Sequence, residues 1–121
     1  MDRVTHFEIP SDNPEQAMKF YTDVFGWTYT RFGTEPYWLA TTGSDNMPGI
    51  NGAIMKRNHP QQPLTNSIRV NNIDESINMI SASGGKIVVP KTTIPGVGWF
   101  AYFTDPDNNI MGVMQEDNSA K

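Results

Sequence analysis

Gly96–Gln115, GVGWFAYFTDPDNNIMGVMQ, decides the fold of this chain. Trp99-Phe100-Ala101-Tyr102-Phe103 is aromatic and has few polar residues, which is strand composition. Asp105-Pro106-Asp107-Asn108-Asn109 then gathers turn chemistry. Pro fixes φ, while Asp and Asn tolerate left-handed backbone and bond it with their own side chains. Ile110–Gln115 is the return strand of the hairpin.

A weaker copy of this hairpin lies about sixty residues earlier. Outward from it, Val4–Pro10 alternates, with Thr5, Phe7 and Ile9 on one face and Val4, His6 and Glu8 on the other, as in a half-buried strand. Asp12-x-x-Glu15, with Pro14 in the first turn, predicts a helix start. Ala17, Phe20, Tyr21 and Val24 form its apolar stripe, and Gly26 ends it. Strands are expected at Trp27–Phe32, Tyr37–Thr42 and Gly49–Lys56, with a polar loop over Thr42–Pro48.

Asn58–Pro63 holds two prolines and almost nothing apolar, so it reads as a linker. The order then repeats: a strand at Asn66–Val70, and a helix opened by Asn72-x-x-Glu75 with the stripe Ile73, Ile77 and Ile80. Gly84-Gly85 close that helix, Lys86–Pro90 is a strand, and Lys91–Gly98 is a loop whose glycines suggest mobility. Glu116–Lys121 is a polar tail expected to fray. Asp12/Glu15 with Asn72/Glu75, Gly26 with Gly85, Trp38-x-Ala40 with Trp99-x-Ala101, and Ile50-x-Gly52 with Ile110-x-Gly112 recur at a nearly constant offset. The sequence thus describes an α+β domain of two duplicated βαβββ modules, about 1–57 and 64–115, joined by residues 58–63.

Composition narrows the function classes. At 121 residues, two such modules must share one domain, because either alone would be marginal. A net charge of −4 argues against nucleic acid and against an anionic membrane surface. The absence of Cys removes disulfides, thiolate metal sites and a Cys nucleophile. No segment approaches a membrane span, and Met1-Asp2-Arg3-Val4 lacks the apolar run of a signal peptide, so a cytoplasmic setting is expected.

HFEIPSDNPEQAMKFYTDVFGW (residues 6–27) and GWFAYFTDPDNNIMGVMQ (residues 98–115) resemble the vicinal oxygen chelate superfamily, which includes glyoxalase I, bleomycin-resistance proteins and extradiol dioxygenases. The resemblance runs from about Thr5 to Gln115 and is greatest to small glyoxalase-like proteins. It implies two curved sheets around a cup with helices outside, and a homodimer, since exposed sheet edges invite pairing. It also implies metal-ligand positions at His6, at Thr65 or Ser67, at Gly112, and at Gly52 as the counterpart of Gly112 in the first module. Only His6 offers a side chain suited to a divalent ion there, so no metal and no other cofactor is expected.

The candidate ligand-binding residues are His6, Glu8, Trp38, Arg69, Trp99, Tyr102 and Met114. His6 also fits the role of an ordinary polar wall residue, and Glu8 that of an ion-pair partner, with Arg69 as the candidate base. The aromatic strand Trp99–Phe103 is expected to wall a cavity, although aromatic residues on sheets are commonly core. Three functions stay open at this point. One is a module binding an unidentified small organic molecule; a second is a lyase, isomerase or dioxygenase; a third is a non-catalytic accessory protein.

Overall fold

The computed structural model describes residues 1–121, and its elements run strand, helix, strand, strand, strand, twice over. They are β1 (Arg3–Ser11), α1 (Pro14–Phe25), β2 (Thr28–Arg31), β3 (Tyr37–Thr41) and β4 (Asn51–Lys56). Then follow β5 (Thr65–Arg69), α2 (Ile73–Ala82), β6 (Lys86–Ile94), β7 (Gly98–Thr104) and β8 (Ile110–Glu116). The chain divides into two compact units, Thr5–Leu64 and Thr65–Lys121, the second including Met1–Val4. The first has the strand order β2-β3-β4-β1 and the second β6-β7-β8-β5. In each, the opening strand pairs parallel with the last and the other pairings are antiparallel, so both sheets are mixed. The α+β class and the duplicated βαβββ unit are as the sequence reads.

Register refines the duplication. His6 stands opposite Asn51 as Ser67 stands opposite Gly112. Trp38 stands opposite Ile54 as Trp99 stands opposite Gln115. The counterpart of Gly112 is therefore Asn51, and the match of Ile50-x-Gly52 to Ile110-x-Gly112 is one residue out of step. In a strand, such a slip turns every side chain to the other face. Gly52 belongs to the α1 face, where a Cβ would come within 2.5 Å of the Phe7 ring.

The helices start by the same device but differ in what they cover. Asn13, not Asp12, caps α1, its side chain accepting from the Gln16 N–H, while Asp12 instead pairs with Arg57. Asn72 caps α2 by accepting from the Glu75 N–H. Ile73 of α2 is fully buried in a core with Val70, Ala101 and Val113, and Ile77 and Ile80 pack against it. The stripe expected on α1 is only partly used: Tyr21 stacks on Trp27 at 4.7 Å, whereas Phe20, Val24 and Phe25 are 56%, 55% and 62% exposed.

Two expectations for the second unit are overturned. Lys91–Gly98 is not a mobile loop, because β6 continues to Ile94. Register shifts between Ile87 and Val89 and between Val89 and Thr92 let the strand pass Pro90, which has no N–H to give the ladder. The turn that remains is closed by Val97 N–H donating to the Ile94 carbonyl. Gly98 is there for close approach, since a Cβ would fall 1.9 Å from the Gln115 carbonyl oxygen. Nor is the tail loose. Asp117 N–H donates to Val97, Gly96 N–H donates to Ala120, and Ala120 is buried.

Candidate functional site

In the first unit, alternation decides which side chains meet. Phe7 packs on Trp27, and Trp27 on Tyr21 of α1, so Phe7 and Ile9 belong to the helix face. His6 and Glu8 therefore turn the other way, with Asn51 and Ala53 opposite them on β4. Pairing of β3 with β4 brings Tyr37 and Leu39 to that same face.

Tyr37 joins the two β1 residues. Its hydroxyl donates to Glu8 Oε2 at 2.6 Å and lies 2.8 Å from His6 Nε2. A phenol has one proton to give. With that proton directed at Glu8, His6 Nε2 must be the donor to the phenol oxygen, which leaves Nδ1 of the neutral ring as an acceptor. Burial pushes the His6 pKa below its ordinary 6.5 and outweighs the opposing pull of the Glu8 charge, so the neutral ring is favoured. Glu8 itself is only 8% exposed. The arrangement His6–Tyr37–Glu8 is a half-buried hydrogen-bonded chain that fixes the histidine tautomer.

Asn51 is oriented as firmly. Its Oδ1 accepts from the Thr42 N–H at 2.9 Å, and the Thr42 hydroxyl lies 3.3 Å from the same oxygen. Because a backbone N–H can only donate, the amide oxygen is assigned to that side and Nδ2 to the other. Asn51 also borders a small cavity of about 130 Å³ formed with Thr42–Gly49.

In the second unit, Ser67, Arg69, Phe100, Tyr102, Gly112 and Met114 share the face turned away from α2. Arg69 forms an ion pair with Glu116 at 2.5 Å, and the two border an open groove with Gly96, Val97, Asp117 and Asn118. Within their own units, Glu8 accepts from Tyr37 and Arg69 pairs with Glu116.

Of the sequence candidates, the structure brings His6 and Glu8 together, and Arg69, Tyr102 and Met114 onto one face. It separates the two tryptophans from both groups. Trp38 stands opposite Ile54 on the α1 face, with Arg31 5.0 Å over its ring. Trp99 packs against the Ile73 core, with Lys91 4.9 Å over its ring. Trp38 and Trp99 share their faces with Ala40 and Ala101, both almost fully buried, and that i, i+2 spacing was the signal for core. Tyr37 and Asn51 are the residues sequence reasoning missed. Each is a strand's first residue, and parity with Trp38 and Gly52 would have placed both on the His6 face.

The metal positions implied by the resemblance resolve to His6, Asn51, Ser67 and Gly112. One imidazole, one amide, one hydroxyl and no side chain do not fit a resident divalent ion. The Nε2 atom of the imidazole is already bound to Tyr37. A Cβ at Gly112 would lie 2.6 Å from Ser67 Oγ, so a carboxylate at this place on β8 would first require that hydroxyl to turn aside. Nowhere do three His, Asp or Glu side chains converge. No chemical step is derived through a metal.

A family model described as the Glyoxalase/Bleomycin resistance protein/Dioxygenase superfamily matches residues 3–112. The protein named "Putative glyoxylase CFP32" of Mycobacterium bovis is 28% identical over 115 residues, covering 89% of this chain and 43% of that protein. The chain therefore spans less than half the length of that relative. A "Glyoxylase-like domain-containing protein" of Didymella fabae is 29% identical over 117 residues, covering 92% of this chain and 91% of its own. The crystal structure of a glyoxalase/bleomycin resistance protein/dioxygenase superfamily member from Vibrio splendidus shares the fold, with a TM-score of 0.67 at 15% identity over 94% and 98% of the two chains.

Proposed function

The chain belongs to the Glyoxalase/Bleomycin resistance protein/Dioxygenase superfamily, and from that premise we propose that it binds a small organic molecule without a resident metal. One observation carries the reading. Where the resemblance calls for charged ligands, the chain has Asn51 and Gly112, and the one imidazole among those positions, His6, is committed through Nε2 to Tyr37. A polar chain of this kind positions a ligand by hydrogen bonds, the usual role of the few polar groups in a small-molecule site. Within the second unit, Phe100, Tyr102, Met114 and Arg69 share one sheet face, which is a separate candidate surface for a small molecule. The setting is cytoplasmic in this reading, in keeping with a sequence free of Cys and with no helix long and apolar enough to cross a membrane.

The test is elemental analysis of protein purified without added metal, beside a thermal-shift survey of small organic compounds with and without chelator. The expected result is no stoichiometric Zn, Ni, Mn or Fe, and ligand-induced shifts that chelator leaves unchanged. About one ion per chain, lost in His6→Ala, would overturn the reading in favour of a metal-dependent lyase, isomerase or dioxygenase. Turnover of a bound compound by the metal-free protein would replace binding with catalysis.

A homodimer is part of the proposal, because α1 presents Phe20, Val24 and Phe25 to solvent and a second copy is the simplest cover for them. Light scattering at the monomer mass across a wide concentration range would exclude it.

A further inference from the structure

We propose that His6 and Asn51 form a two-point reader for a ligand edge on which an N–H or O–H donor stands beside a carbonyl acceptor. This deepens the small-molecule reading above and rests on it. Tyr37 gives its proton to Glu8, so His6 presents Nδ1 as an acceptor. Thr42 holds the Asn51 oxygen, so Asn51 presents Nδ2 as a donor. The two residues are register partners on adjacent parallel strands, about 4.8 Å apart at the backbone, and share one face.

An acceptor next to a donor is complemented by a donor next to an acceptor. A lactam edge has that pattern, and two slightly splayed hydrogen bonds bridge the strand spacing. Neither atom is engaged within the protein, for the hydrogen bonds of His6 and Asn51 run through Nε2 and Oδ1. The second unit lacks the reader altogether, because its equivalents are Ser67 and Gly112. Recognition of this edge is thus a property of the first unit alone.

The experiment is NMR titration of the full, isotope-labelled chain with δ-valerolactam, following the His6 ring nitrogens and the Asn51 side-chain amide. N-methyl-δ-valerolactam, which lacks the donor, is the matched control. The expected result is saturable shifts at both groups with δ-valerolactam and binding about tenfold weaker with the N-methyl compound, the size of one lost hydrogen bond. Asn51→Asp keeps the oxygen that Thr42 holds and turns the donor into an acceptor. It should weaken δ-valerolactam by at least about tenfold while the backbone spectrum stays that of the native fold. Equal binding of the two lactams, or an unaffected Asn51→Asp, overturns the proposal. Saturable shifts confined to other residues overturn it while leaving the small-molecule reading standing. No saturable shift with any compound that gives a thermal shift overturns both.

Discussion

The two units carry the same strand order and, outside the bulged β6, the same register, yet they have opposite strengths. The second has a helix seated in a core, with Ile73 fully buried among Val70, Ala101 and Val113. The first has a helix that buries no residue fully and a sheet face with a half-buried polar chain, His6–Tyr37–Glu8. At equivalent positions the second unit places Ser67, Gly98 and Arg69, which form no such chain. Duplication has therefore kept the backbone pairing while distributing packing to one copy and polar chemistry to the other.

The comparison breaks most visibly at Ile73. Ile73→Ala should cost about 2–5 kcal/mol by urea denaturation, because a closed core cannot collapse onto the cavity. A loss under about 1 kcal/mol would deny the second unit its tighter core. Tyr37→Phe comes next, at about 1–3 kcal/mol, since it deprives His6 and Glu8 of the hydroxyl between them. Its equivalent in the second unit is a glycine, so no corresponding loss is available there.

A smaller effect depends on pH. Burial holds the folded His6 pKa below 6.5, so the unfolded chain takes up a proton first as pH falls. Stability should decline from about pH 6.5 down to the lower folded pKa and change no further through this group below it. Urea midpoints between about pH 5 and pH 7 should show that part of the slope disappear in His6→Gln. An unchanged slope would mean that His6 is not held neutral.

The two cation–aromatic pairs test sameness rather than difference. Arg31→Ala and Lys91→Ala should each cost about 0.5–1 kcal/mol, because each cation lies about 5 Å over its tryptophan. A clear inequality would separate the units on the faces where they look most alike. Smallest of all, Phe20→Ala should stay within about 0.5 kcal/mol in dilute monomer, and a larger loss that grows with protein concentration would sharpen the case for a covering copy.

The fold was legible because its signals are local. The Trp99–Phe103 run, the Asp105 turn and the Asn72 cap each act within a few residues, and each is where composition places it. The site was legible only in part. His6 and Glu8 follow from alternation along one strand, but Tyr37 reaches them from β3, and strand pairing is not written in either segment. The slip between Asn51 and Gly52 shows the same limit, since a one-residue ambiguity in matching two copies exchanges a polar residue of the His6 face for a buried glycine. Continuation of β6 past Pro90 was hidden because bulges, which the sequence does not announce, carry the strand around it.

The capping asparagines, Asn13 and Asn72, lie 59 residues apart, while the tryptophans, Trp38 and Trp99, lie 61 apart. His6 and Ser67 are also 61 apart, so the first copy spends two more residues between its opening strand and its helix and recovers them before its third strand. Since the halves diverged, length has been traded along the chain, part of it through the bulges of β6, while the other ladders keep their register. Within an unbulged strand, by contrast, a single added residue would carry Tyr37 or Asn51 to the wrong side.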